Sequence, residues 1–138
     1  MATYDPKKII LTFGGSIIGG YADGTGISVD SLTDDWSLST GMDDFSAYTK
    51  LNNSTGEIVI TLSQSSLSNV ILSGFRTIDQ TANAGLLPLL LKDVGGTTEV
   101  SGIGRIKKAP TLDFANDISP REWTLLCSNL NITVGGNL

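Results

Sequence analysis

Residues 57–84 read EIVITLSQSSLSNVILSGFRTIDQTANA, and two hydrophobic periods meet inside them. In Glu57 to Ser63, Ile58, Ile60 and Leu62 alternate with Glu57, Val59 and Thr61, the period of a strand with one buried face. From Ser66 the period lengthens. Leu67, Val70, Ile71, Phe75 and Ile78 fall on one stripe of a 3.6-residue repeat, which predicts an amphipathic helix over about 66–84. Ser65 or Ser66 is the expected N-cap and Gly85 the expected stop. Such a helix is roughly 25 Å long at 1.5 Å per residue. No other stretch carries this stripe, and one helix among strands must lie across a sheet or close the end of a barrel. The expected fold class is therefore mainly β with one α-helix.

The flanking sequence supplies the strands. Lys7 to Phe13 is a β-rich run closed by Gly14-Gly15, with Ser16 to Ile18 returning after a hairpin-type turn. Gly19 to Gly26 is a glycine-rich loop with Asp23-Gly24 as its turn signal. Ile27 to Thr40 reads as one strand, Trp36 and Leu38 on one face and Ser37 and Ser39 on the other. Gly41 to Ser54 then reads as a long excursion whose acids and exposed aromatics mark a contact loop. Downstream, Leu86 to Lys92 is apolar on both faces, and Pro88 is expected to keep it out of a central strand. Thr97 to Lys108, Thr111 to Ala115 and Arg121 to Val134 complete the strands before a Gly135-Gly136-Asn137 tail.

Composition narrows the function. The 138 residues match one domain, and charged residues are only 17%, below the roughly 25% of ordinary soluble domains. Apolar surface in excess of charge finds a protein partner. The net charge of −5 opposes tight binding to nucleic acid, whose affinity rests on Lys and Arg neutralising phosphates. With no histidine and only Cys127, zinc fingers, disulfide frameworks and histidine-based triads are excluded, and Cys127 reads as a buried small hydrophobe. No secretory leader and no run of about 18 apolar residues are seen, so synthesis in a cytoplasm and no membrane association are expected.

Motifs with catalytic overtones have plainer readings. Gly14-Gly15-Ser16 and Gly19-Gly20 lack the Gly-Lys-Ser/Thr end and following helix of a phosphate loop, so they are turns. Asp34-Asp35 and Asp43-Asp44 do not follow a calcium-loop pattern, and neighbouring Asp residues on an extended chain point apart. A carboxylate pair for glycoside cleavage lacks aromatic platforms among nine aromatics, most at core-like positions. Arg105, Lys107 and Lys108 are too few for a nucleic-acid site and suit cross-strand or intersubunit ion pairs. No cofactor and no enzymatic activity are expected.

The segment from Gly104 to Leu126 brings a family into view. It carries Gly104-Arg105-Ile106-Lys107-Lys108-Ala109-Pro110, then Leu112-Asp113-Phe114-Ala115, then Arg121-Glu122-Trp123-Thr124-Leu125. A basic pair before Ala-Pro, an L-x-F/Y-A strand and an acidic-Trp strand resemble the closing half of the phage tail tube protein family of contractile-tailed phages. The upstream order agrees, through the glycine-rich loop, the long excursion, the alternating strand and a Ser-led helix carrying Asn69. The tube protein of type VI secretion systems is similar in architecture.

The resemblance implies a tail-tube subunit, a β-barrel or sandwich flanked by one α-helix, whose hexameric rings stack into a tube that conducts DNA during ejection without binding it specifically. Its partners would be itself, the tail sheath, the baseplate and the tape-measure protein, in a virion tail assembled in the bacterial cytoplasm. Another virion or secretion-tube component, a tail terminator or baseplate protein, is the alternative, and a ligand-binding β module the remote one. By strand alternation Glu57, Glu99, Asp113 and Glu122 lie opposite the core and are expected to line the lumen. Asp34, Asp35, Met42, Asp43, Asp44, Phe45 and Tyr48 are expected to make the contact between rings.

Overall fold

The structure, a computed structural model, describes residues 5–22, 24 and 26–136; Asp23 of the expected turn and Asn137 of the expected tail lie outside the described residues. Among the described residues, after a 3-10 turn at Pro6–Lys8, nine strands and one α-helix follow in order: β1 Ile9–Phe13, β2 Ser16–Ile18, β3 Ile27–Ser31, β4 Trp36–Thr40, β5 Ser46–Lys50, β6 Gly56–Leu62, α1 Ser68–Ala82, β7 Leu87–Asp93, β8 Glu99–Lys108 and β9 Arg121–Thr133. Seven strands form one antiparallel sheet in the order β2-β1-β7-β8-β9-β6-β3, and β4 pairs only with β5.

Alternation turns one face of the large sheet inward. Leu11, Phe13, Ile58, Ile60, Leu62, Leu125 and Cys127 are fully buried, with Leu89, Val100 and Trp123 nearly so. The sheet curls around this row. Tyr21, just beyond β2 at one edge, bridges to Leu62 on β6 near the other, and the Ala22 N–H donates to the Thr61 carbonyl at 3.1 Å. The β1–β2 connection is a two-residue turn in which Gly14 and Gly15 both have positive φ, as a tight right-twisting hairpin requires. A Cβ on Gly14 would also press within 2.9 Å of Leu87 and Phe75, because the helix packs down on this turn.

The helix closes the barrel end. Phe75 meets Phe13 edge to face at 5.4 Å between ring centroids. Ser66 donates to the Gly19 carbonyl at 2.6 Å, and Ser68 Oγ accepts the Gly19 N–H at 2.9 Å. The buried helix face differs from the expected stripe. Ser68 and Leu72 are buried, Ile71 and Phe75 pack on the core, and Leu67, Val70 and Ile78 are exposed, Leu67 at 81%. The polar contacts of Ser66 and Ser68 with Gly19 rotate the helix so that Leu72 enters the core and the Leu67–Val70–Ile78 flank faces outward. Leu67 occupies the N-cap position, with the Ser66 hydroxyl accepting the Ser68 N–H at 3.2 Å. Asn83, not Gly85, turns left-handed at the C-terminus, a conformation asparagine tolerates.

Three further strand expectations change. Ile27 to Thr40 is two strands in different sheets, split at Leu32 to Asp35, where Leu32 and Thr33 bond to Thr55 and Asn53. Leu87–Asp93 is an interior strand between β1 and β8; Pro88 is accommodated because β1 pairs only as far as Leu89. Its second face is uncovered, with Leu90 exposed. Thr111 to Ala115 is not a strand but part of an exposed connection between Pro110 and Pro120.

Candidate functional site

The segment expected to be a loop over 41–54 is half of a β-hairpin. Trp36, Leu38 and Thr40 stand opposite Lys50, Tyr48 and Ser46, while Ser37 and Ser39 stand opposite Thr49 and Ala47. One face of the ribbon is therefore aromatic and aliphatic and the other small and polar. The turn is held by the Gly41 N–H donating to Phe45 O at 2.8 Å and the Asp44 N–H donating to Gly41 O at 3.2 Å, with Asp44 left-handed at φ 60°. The alternation Ser46-Ala-Tyr-Thr-Lys50 after a Gly-Met-Asp-Asp turn is the signal that marks β5 in the sequence.

Every residue of β4 and β5 is exposed. Trp36 is 57% exposed, Phe45 71% and Tyr48 74%, and Met42 stands fully in solvent at the tip. Asp34 and Asp35 sit at the stem, where the Leu51 N–H donates to Asp35 O at 2.9 Å, and Asp43 and Asp44 sit at the tip. All seven residues expected to make a contact thus belong to one projecting device. Among the described residues no cluster of three or more His, Cys, Asp or Glu could hold a metal ion.

The residues expected to face a lumen divide. Glu57, Glu99 and Glu122 lie on the outer face of the sheet, in register with Asp30 and Leu126, with Lys92 and Thr133, and with Thr61. Asp113 does not join them, because it lies in the connection between Pro110 and Pro120. Glu57 is not a lone negative charge, since Lys107 Nζ donates to its Oε1 at 2.8 Å. Arg105 reaches Asp79 on the helix at 3.7 Å. The face is mixed in charge and carries hydroxyl and amide groups such as Ser101, Asn129 and Asn131.

The motifs of the closing half converge on the helix. Trp123 is buried, and its Nε1 donates to Asn69 Oδ1 at 2.9 Å. Asn69 Nδ2 in turn donates to the Ser63 and Ser66 carbonyls at 3.0 and 3.1 Å, so one amide ties β9, the end of β6 and the first helical turn together. Arg121, 5% exposed, sits 5.4 Å from the Phe114 ring and donates to the carbonyls of Ser119, Pro120 and Asp113 at 3.2 to 3.4 Å. Between the helix and this connection runs a groove lined by Asn69, Ser73, Arg76, Leu112, Phe114 and Arg121, among others. Arg121 and the Asn69–Trp123 bond escape sequence reading because both depend on residues more than fifty positions apart, or on a connection with no periodicity. Cys127 is a free, buried thiol, and burial pushes it up to about 11.

No protein-family model matches the chain. The chain is similar to the structural protein ORF10 of Pseudomonas phage KPP10, 26% identical over 145 residues spanning 99% of this chain and 84% of that protein. Its fold is similar to the tube-terminating cap of the anti-feeding prophage, with a TM-score of 0.63 and 12% identity over 96% of this chain and 92% of that one. It is also similar to the sheath/tube terminator of PVC, an extracellular contractile injection system, with a TM-score of 0.56 and 14% identity over 97% and 99%. The phage likeness accords with the family resemblance at its coarser level, a phage structural protein. Both of these fold neighbours are terminators of tubes.

Proposed function

We propose that this chain is a structural subunit of a phage contractile tail that assembles into a ring terminating the tube, in place of the repeating tube subunit. The observation that carries this reading is the likeness to two terminators over nearly the full length of both partners, with no large insertion left over on either side. The phage relative, a structural protein, supports placing the protein in the virion, and the terminator likeness supports the tail within it. The physical picture is consistent with it. A subunit whose projecting ribbon and outer strands expose apolar rows is completed by neighbours, and a closed ring satisfies all copies equally. In this reading the outer sheet face with Glu99 and Glu122 borders the channel, where hydroxyls, amides and unpaired carboxylates let DNA pass without adhering. The tube end, the sheath and the protein itself are the partners.

Negative-stain microscopy of the purified protein tests the reading. Rings or short ring stacks that halt the growth of open tube ends are expected. Long open-ended tubes made of this chain alone would return the assignment to the tube subunit, and a monomer without lateral assembly at high concentration would contradict both.

A further inference from the structure

The hairpin and the groove lie at opposite ends of one barrel. The hairpin rises from the end of the sheet where Ser31 pairs with Gly56. The groove opens at Arg121 and Trp123, which pair with Leu62 and Ile60 at the far end of β6. The length of β6 separates the two by roughly 20 Å at 3.3 Å per residue. Every residue of the hairpin strands is exposed, so the hairpin does not fold back toward its own groove.

The two surfaces are complementary in charge and in apolar character. The hairpin segment carries Asp34, Asp35, Asp43 and Asp44 against the single cation Lys50, with Met42 and Phe45 at its tip. The groove is lined by two arginines, Arg76 and Arg121, and by Pro110, Leu112, Phe114 and Trp123, and no carboxylate lines it. Arg121 is the more telling of the two. Its guanidinium is withdrawn from solvent, yet its hydrogen bonds all go to backbone carbonyls, and neither ion pair among the described residues involves it. A sequestered cation held by carbonyl dipoles and the Phe114 ring face lacks the counter-charge that a carboxylate supplies at shorter range and greater strength.

We infer that the acidic, aromatic tip of the hairpin of one copy docks head-to-tail in the arginine-lined groove of a second copy of this chain. The contact deepens the proposed ring and rests on the reading of this chain as a self-assembling subunit. Because the donor and acceptor patches are different surfaces, the contact is heterologous, and it propagates until the assembly closes on itself. A solitary two-stranded ribbon is marginal in water, so seating it on a partner also stabilises it.

A charge-swap experiment tests the inference with two full-length proteins. One carries Asp43→Lys and Asp44→Lys in the hairpin, and the other carries Arg76→Glu in the groove; Asp43 and Asp44 are exposed and Arg76 is half-buried in the single chain. Each protein alone should need at least about tenfold higher concentration than the parent to assemble, because like charges then face each other. Mixed one to one, they should assemble again, since each altered surface meets its opposite. Normal assembly of both single proteins, or failure of the mixture to recover, overturns the contact. A second arm does not depend on ring formation: Phe45→Cys in one protein and Leu112→Cys in another should cross-link between chains on oxidation, whereas Phe45→Cys with Ile17→Cys should not. Absence of the first cross-link overturns the contact even if rings form. Long tubes that still give the cross-link would leave the contact standing and remove only the terminator assignment.

Discussion

Strands β6 and β4 obey the same alternation and meet opposite fates. In β6, Gly56, Ile58, Ile60 and Leu62 form a row that is buried throughout, because Cys127, Leu125 and Trp123 of β9 stand beside them and the curled sheet closes over them. In β4, Trp36 and Leu38 form an equally apolar row that stays exposed, since its only neighbours are Tyr48 and Lys50 of β5. Alternation thus identifies a strand with one apolar face. It does not say which molecule covers that face. In the barrel the cover is the chain itself, and for the hairpin it is, on the reading above, another copy.

The comparison can be broken most forcefully from the barrel side. Leu125→Ala removes a fully buried side chain from a strand that has partners on both edges. Denaturant unfolding should show a loss of about 2–5 kcal/mol, the range for large-to-small changes in a core. A loss below about 1 kcal/mol would mean the barrel interior is as loosely covered as the hairpin. Asn69→Ala should cost less, about 1–3 kcal/mol, by leaving the buried Trp123 N–H without its acceptor. Trp123→Phe in the same background should then add only the cost of its lost ring volume and no further hydrogen-bond penalty, because donor and acceptor act as a pair.

Alkaline pH should weaken the barrel. Burial raises the Cys127 thiol from an ordinary value of 9.0 to about 11 and moves Tyr21 upward as well. Both are acids kept neutral by the fold, so their contribution is fully present below the ordinary values and is lost as pH rises. The denaturation midpoint should fall between about pH 9 and 11, and Cys127→Ser should flatten that fall. The smallest effect belongs to the hairpin. Trp36→Ser with Tyr48→Ser should change the unfolding free energy of the single chain by no more than about 0.5 kcal/mol, as for exposed positions generally. The same pair should abolish assembly, which separates what holds the fold from what joins the copies.

The parts legible in the sequence are those governed by local period. The alternating strand over 57–63, the existence of one helix and the Gly14-Gly15 turn follow from spacing and backbone freedom, and the mainly β barrel with one helix follows from them. The buried side of the helix was not legible. Leu72 lies beside the predicted stripe, and its burial depends on Ser66 and Ser68 bonding to Gly19, forty-nine residues from Ser68. The hairpin residues were recognisable as a contact element by their aromatics and acids, but the pairing of 36–40 with 46–50 requires reading one apparent strand as two. Asp113 reads as a sheet residue from an apparent L-x-F strand, yet 111–115 pair with no strand and stay exposed. The carboxylate row weakened further when Lys107 reached across β9 to Glu57, a pairing set by register and invisible to composition.

The terminator assignment is tested most directly by where the protein sits on a tail. Gold-labelled antibody against the hairpin-free barrel surface, applied to intact tails with the sheath removed, should mark a single end of each tube. Labelling along the whole length of the tube would contradict the assignment.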